Sequence, residues 1–157
     1  MTLPHNDISL VEMRFSSSLA ILDLIQPITN RVCAQLDFDE DCQYWIWLAT
    51  QEALNNAIKH GNKMDSQKFV HFFMSIENSE FKIIVKDEGE GFDYKNLPDP
   101  TNPDNLLKTS GRGIFYMKSF MDRVEYDTDK GTTVTLVKKR ILPAQDDSKS
   151  KEQTEES

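Results

Sequence analysis

Three stretches of this chain combine residue types and spacings that can do chemistry. In residues 51–61 a carboxylate, Glu52, and a carboxamide, Asn56, stand four residues apart in an otherwise apolar run that closes on Lys59, His60 and Gly61. On a helix each residue advances by about 100°, so Glu52 and Asn56 stack one turn apart on the face that carries Trp45 and Ala49. A buried carboxylate without a partner is costly, so the pair either finds protein partners or faces a ligand. In residues 87–91, Asp87 stands where an apolar, strand-like run ends, followed by Gly89 and Gly91. A carboxylate there can accept from an exocyclic amine, and the glycines let a flat ring approach the backbone. Gly111, Arg112 and Gly113 precede a short helical pattern, where backbone amides and a helix N-terminus can hold phosphate. Taken singly, each has a plainer meaning: a polar helix edge, an Asp/Gly turn, a Gly-x-Gly turn.

The elements that must position these groups follow from periodicity. Residues 8–15 alternate as a first strand, possible at a sheet edge, after a polar arm at 1–7. Ser16, Ser17 and Ser18 offer N-caps for a helix whose Leu19, Leu22, Ile25, Ile28, Val32 and Leu36 recur at helical spacing, with Pro27 expected to kink it or start a new one. Acidic residues 37–41 suit the first turn of a second helix, expected from about Asp39 to His60 and apolar around most of its circumference. Tyr44, Trp45 and Trp47 read there as core aromatics rather than a stacking platform. Residues 68–77 and 81–89 form a hairpin pattern across Asn78, Ser79 and Glu80. Residues 88–110, with Pro98, Pro100 and Pro103, read as a lid; a short helix and a second hairpin across Asp129, Lys130 and Gly131 follow. The polar, charged stretch 142–157 reads as a disordered acidic tail. The expectation is an α+β, two-layer α/β sandwich, a mostly antiparallel sheet with helices on one face, spanning residues 8–141.

Bulk properties narrow the function classes. The length of 157 residues suits one domain, and 38% hydrophobic with 28% charged residues is ordinary globular composition. A formal net charge of -8 argues against direct nucleic-acid or anionic-membrane binding, which rests on Lys and Arg meeting phosphates. Cys33 and Cys42 lack metal-site or CxxC spacing. No signal-peptide pattern opens the chain, and the longest apolar run, Tyr44 to Ala49, falls far short of the ~20 residues that cross a bilayer. A cytoplasmic protein with reduced thiols is the expectation.

In order, the motifs are Glu-x-x-x-Asn on a helix, Asp-x-Gly-x-Gly after a strand, Gly-x-Gly before a helix, and Gly131-Thr132-Thr133 leading the last strand. That series resembles the GHKL ATP-binding superfamily, the histidine-kinase-like ATPases with gyrase, Hsp90 and MutL, over about residues 8–140. Within it, residues 51–62 and the short length look most like the anti-sigma factor serine/threonine kinases of bacterial partner-switching systems. The resemblance implies a Bergerat-type ATP-binding fold. It also implies that Asn56 coordinates the Mg²⁺ bridging ATP phosphates, that Asp87 bonds the adenine amine, and that Gly89 and Gly91 let the base lie close. Gly111 and Gly113 would approach the phosphates from the lid, Lys59 would reach a phosphate, and Thr132 would support the adenine end. Arg112 is either a second cation or a solvent-facing lid residue.

Glu52 discriminates between branches, because the histidine kinases of this superfamily usually carry a non-acidic residue at the matching place. A serine hydroxyl or a water must lose a proton as it attacks phosphorus, whereas a neutral imidazole already offers a lone pair. Glu52 is therefore the expected general base. His60 reads as a C-terminal helix residue favoured by the dipole, and His5 and His71 show no supporting pattern.

The function implied is a kinase that holds a sigma factor and phosphorylates a small, STAS-type anti-sigma factor antagonist, as a homodimer with the first strand and arm as a possible interface. The alternatives are a nucleotide-regulated protein-binding module without kinase activity, against which Glu52, Asn56 and Asp87 stand, and an ATP-hydrolysing GHKL ATPase, whose other members carry transducer domains.

Overall fold

In a computed structural model, which describes residues 8–91 and 117–140, strict alternation builds the sheet. In β2 (Phe69–Glu77) and β3 (Glu80–Lys86) every second residue is buried, so Val70, Phe72, Met74 and Ile76 share one face with Phe81, Ile83 and Val85. With β1 (Ile8–Ser16), β4 (Arg123–Asp127) and β5 (Thr133–Lys139) they form a five-stranded sheet in the order β1-β2-β3-β5-β4. All four neighbouring pairs are antiparallel. The arm at 1–7, residues 92–110 of the expected lid and the tail expected at 142–157 lie outside the described residues.

The β2–β3 connection is a two-residue turn, Asn78 and Ser79, with φ of 51° and 62°. Both central residues are left-handed, as a type I′ hairpin requires, and this geometry matches the twist of the flanking strands. It sets Glu77 opposite Glu80, a like-charge pair. Lys82 at 2.6 Å from Glu77 and Arg123 at 3.1 Å from Glu80 relieve it.

Two helices cover the buried face. A 3₁₀ turn (Leu19–Ile21) leads into α1 (Leu22–Gln35), and Asp39 caps α2 (Glu40–Asn55) by accepting from the Cys42 amide at 2.7 Å. α1 buries Ile25, Thr29 and Cys33, and α2 buries six residues centred on Ile46, Ala53 and Leu54. Each fully buried Phe, Ile or Leu contributes roughly 1.5–3 kcal/mol relative to exposure, so Phe72, Phe81, Ile46, Leu54 and Ile58 anchor the layers. Burial also pushes the Cys33 thiol up to about 12, which makes it a core side chain rather than a nucleophile.

The structure departs from the expected elements at four places. The second helix does not continue as α-helix to His60: after Asn55 it widens into a π-helical segment (Asn56–Gly61), closed by bonds from Asn62 N to Ala57 O and Met64 N to Ile58 O, both 2.8 Å. Of the two roles expected for Pro27, it does not start a new helix, because it lies inside α1, which begins at Leu22. Ser18 stands at the first cap without a side-chain bond, whereas Ser17 is buried and donates to Lys68 O at 2.7 Å. Of the three aromatic residues read as core, Trp47 is buried but Tyr44 and Trp45 are exposed.

Candidate functional site: a glycine-walled pocket around Asp87

The site is built where three elements meet: the end of the π-helical segment that follows α2, the exit of β3 and the start of β5. Asp87 is the first residue beyond β3 and is buried. Its Oδ1 accepts from the Gly89 amide at 2.9 Å and the Thr132 amide at 3.0 Å. Its own amide donates to Thr132 O at 3.0 Å. Burial raises the carboxyl above its ordinary value, and the two backbone donors pull against that rise.

The second oxygen, Oδ2, is turned toward Gly61, where any Cβ would overlap it. Two more glycines close the cradle. A Cβ on Gly89 would strike the Gly61 carbonyl, and one on Gly131, at φ +77°, would come within 2.5 Å of Asp87 O. Bare backbone thus encloses a carboxylate with one oxygen bonded to two amides and the other without a hydrogen-bond partner among the described residues. Beside it Thr132 is buried, and its Oγ1 has no hydrogen-bond partner among the described residues. An unpaired buried hydroxyl next to an uncommitted carboxylate oxygen suits a planar ligand bearing an amine and ring nitrogens.

Asn62 holds this arrangement together. It is fully buried, its Nδ2 donates to Ser17 Oγ at 2.9 Å and Phe69 O at 3.0 Å, and its Oδ1 accepts from the Glu88 amide at 2.7 Å. Glu88 in turn accepts from the Phe69 amide at 2.7 Å and lies 3.5 Å from His71 Nε2. The Phe69 amide is the largest influence holding the Glu88 carboxyl below its usual range, followed among the favourable ones by His71. One residue therefore ties β1, β2 and the helix end to the loop that carries Asp87.

The residues expected from sequence separate into four groups. Asp87, Gly89 and Thr132 are joined by hydrogen bonds, and Gly91 follows at φ +84°. Glu52, in the last turn of α2, and Asn56, at the first position of the π-helical segment, are half-buried on the element whose end touches Asp87. Neither side chain has a hydrogen-bond partner among the described residues. Lys59 and His60 are exposed at the end of that segment. Gly111, Arg112 and Gly113 lie outside the described residues. Sequence reasoning missed Gly61 as a wall of the pocket, Asn62 as its tie and Gly131 as its lid over the Asp87 carbonyl. The adjacent Gly61-Asn62 signalled only a helix stop.

An antiparallel sheet with helices on one face, a strand-end aspartate in a glycine cradle and an acid–amide pair on the neighbouring helix define an ATP-binding sandwich of the GHKL class. Residues 15–138 match the histidine kinase-like ATPase domain family, and the chain belongs to that family. Among its relatives is the serine-protein kinase RsbW of Staphylococcus epidermidis, 30% identical over 139 residues that cover 82% of this chain and 85% of that protein. The RsbW kinase of Staphylococcus aureus strain JH9 is 29% identical over the same share of each. A crystal structure of the RsbU and RsbW domains of a Mycobacterium tuberculosis protein superposes with a TM-score of 0.61 at 16% identity, over 86% of this chain and 34% of that one. Among the described residues, no helix is long and apolar enough to cross a membrane, and no group of three metal-ligating side chains occurs.

Proposed function

We propose that this chain is an ATP-dependent protein serine/threonine kinase that acts in the cytoplasm as an anti-sigma factor. Its substrate protein is a small STAS-type antagonist, and it works as a homodimer. The observation that carries the nucleotide reading is the division of labour at Asp87, where two backbone amides hold Oδ1 and leave Oδ2 to an incoming donor. An adenine amine donates to Oδ2, and the Thr132 hydroxyl bonds the adenine edge directly or through a water. The kinship with RsbW serine-protein kinases supports the choice of protein hydroxyl over water as acceptor.

The chain's own groups then divide the reaction. Gly89 and Gly91 admit the base against the backbone, and Lys59 and Arg112 meet phosphate oxygens, with Gly111 and Gly113 closing from the lid. The acceptor hydroxyl loses its proton to the Glu52 carboxylate as its oxygen bonds the γ-phosphorus and the bond to the leaving ADP oxygen breaks. The Asn56 side-chain oxygen suits a hard cation, and Mg²⁺ held there would neutralise charge on the transferring phosphoryl group. Phosphorylation adds charge to the antagonist's contact surface, which releases it and frees this protein for the sigma factor.

Labelled ATP, Mg²⁺ and candidate antagonists from the same organism test the reading, with mapping of the phosphorylated residue. A phosphoserine or phosphothreonine on one small partner is expected. The Glu52→Gln variant should retain ATP binding and lose about 10²–10⁴-fold in transfer rate. Phosphate released without a protein acceptor would instead identify an ATPase.

A further inference from the structure

The two tryptophans of α2 have opposite environments. Trp47 is buried, whereas Trp45 is 39% exposed beside Tyr44 at 55%. Trp45 stacks on Phe120, with centroids 4.1 Å apart and planes at 21°, and Tyr44 meets it edge-on at 4.9 Å. Phe120 comes from the helical turn at 117–120, so the three rings bridge two segments far apart in the chain. Large aromatic surface left in water beside a polar rim marks a contact site more often than a packing accident.

Position and charge say what covers it. Trp45 precedes Glu52 by seven residues, two helical turns, so both lie on one helix face on the order of 10 Å apart along the axis. Asp37, Asp39, Glu40 and Asp41 are exposed around the start of the same helix, with Asp41 one turn before Trp45. A second copy of this chain, at net charge -8, would bring more negative than positive charge to that acidic surround. A basic surface beside the proposed general base meets no such repulsion.

We infer that the Tyr44–Trp45–Phe120 platform docks the phospho-acceptor protein, receiving an apolar side chain flanked by lysine or arginine about two helical turns from the acceptor hydroxyl. The inference rests on the kinase reading and names the surface that selects its protein substrate. Steady-state transfer from labelled ATP tests it, with the antagonist protein that the wild-type chain phosphorylates as probe and separate KM values for that protein and for ATP. Trp45→Ala should raise the acceptor KM about tenfold or more, as loss of an aromatic anchor does, with the KM for ATP unchanged. Trp45→Phe should recover most of the loss, and Asp41→Lys should raise the acceptor KM in a salt-dependent way. An unaltered acceptor KM in Trp45→Ala, or a rise confined to the KM for ATP, overturns the docking surface while the kinase reading stands. Failure of the wild-type chain to phosphorylate any antagonist overturns both.

Discussion

Asp87 uses its two oxygens for different purposes, and a single substitution separates them. In Asp87→Asn the side-chain carbonyl can still accept from the Gly89 and Thr132 amides, but an NH₂ group replaces Oδ2 and faces the adenine amine donor to donor. The same change removes a carboxylate whose burial is unfavourable. The expected result is ATP affinity lowered by at least tenfold with thermal stability unchanged or raised, read by titration calorimetry and thermal unfolding. Asn62 makes the opposite demand. Its removal in Asn62→Ala orphans the Glu88 amide and the Phe69 carbonyl together, so urea unfolding should show a loss of about 2–4 kcal/mol. Weaker ATP binding should accompany it, because the Asp87 loop loses its tether.

At the scale of elements, the β2–β3 hairpin and the end of α2 show what local sequence can state. Asn78 suits a left-handed turn residue, but Ser79 at φ 62° carries a Cβ where glycine is favoured. Ser79→Gly should therefore stabilise the protein by about 0.5–1 kcal/mol in chemical denaturation. The β-branched and aromatic residues of 68–77 and 81–89 made this hairpin legible in advance, but not its register: the connection read from sequence includes Glu80, which the structure pairs with Glu77. The π-helical segment was not legible. Residues 56–61 have nothing in their pattern to favour a wider turn over an α-helical one. The widening sits where Gly61 must reach the Asp87 carboxylate and Gly89, a demand set by a strand more than twenty residues further along the chain. Tyr44 and Trp45 were misread for a related reason. An aromatic residue in an apolar helix reads as core, and only the placement of α2 against the sheet decides which side faces water.

The molecule as a whole has a charge logic that a pH series can read. Glu80, held low chiefly by its bond from Arg123, and Glu88, held low chiefly by the Phe69 amide, both lie below the ordinary 4.5. A carboxyl lowered on folding contributes stability that is present above its unfolded value and lost as pH falls through its folded one. Asp87, raised by burial from 3.8, has the opposite sign: it costs stability above its folded value, and protonation removes that cost. With two groups against one, the urea midpoint should fall as pH drops below 4.5. Glu88→Gln should flatten that fall, and a midpoint that rose instead would contradict the assignment.

The strands, the two covering helices and the order of the motif residues were legible in the chain, because period, turn chemistry and apolar spacing are local properties. The sequence also pointed to Glu52, Asn56, Asp87 and Gly89 through their types and spacing, and to Thr132 through the family resemblance. Tertiary structure alone decided that Asn62 ties four segments together, that Gly61 and Gly131 enclose one carboxylate, and that Trp45 meets Phe120 at the surface. Apart from the Asn62–Phe69 bond, those are contacts between residues 26 to 75 positions apart in the chain, and a local pattern carries no record of what the fold will bring against it.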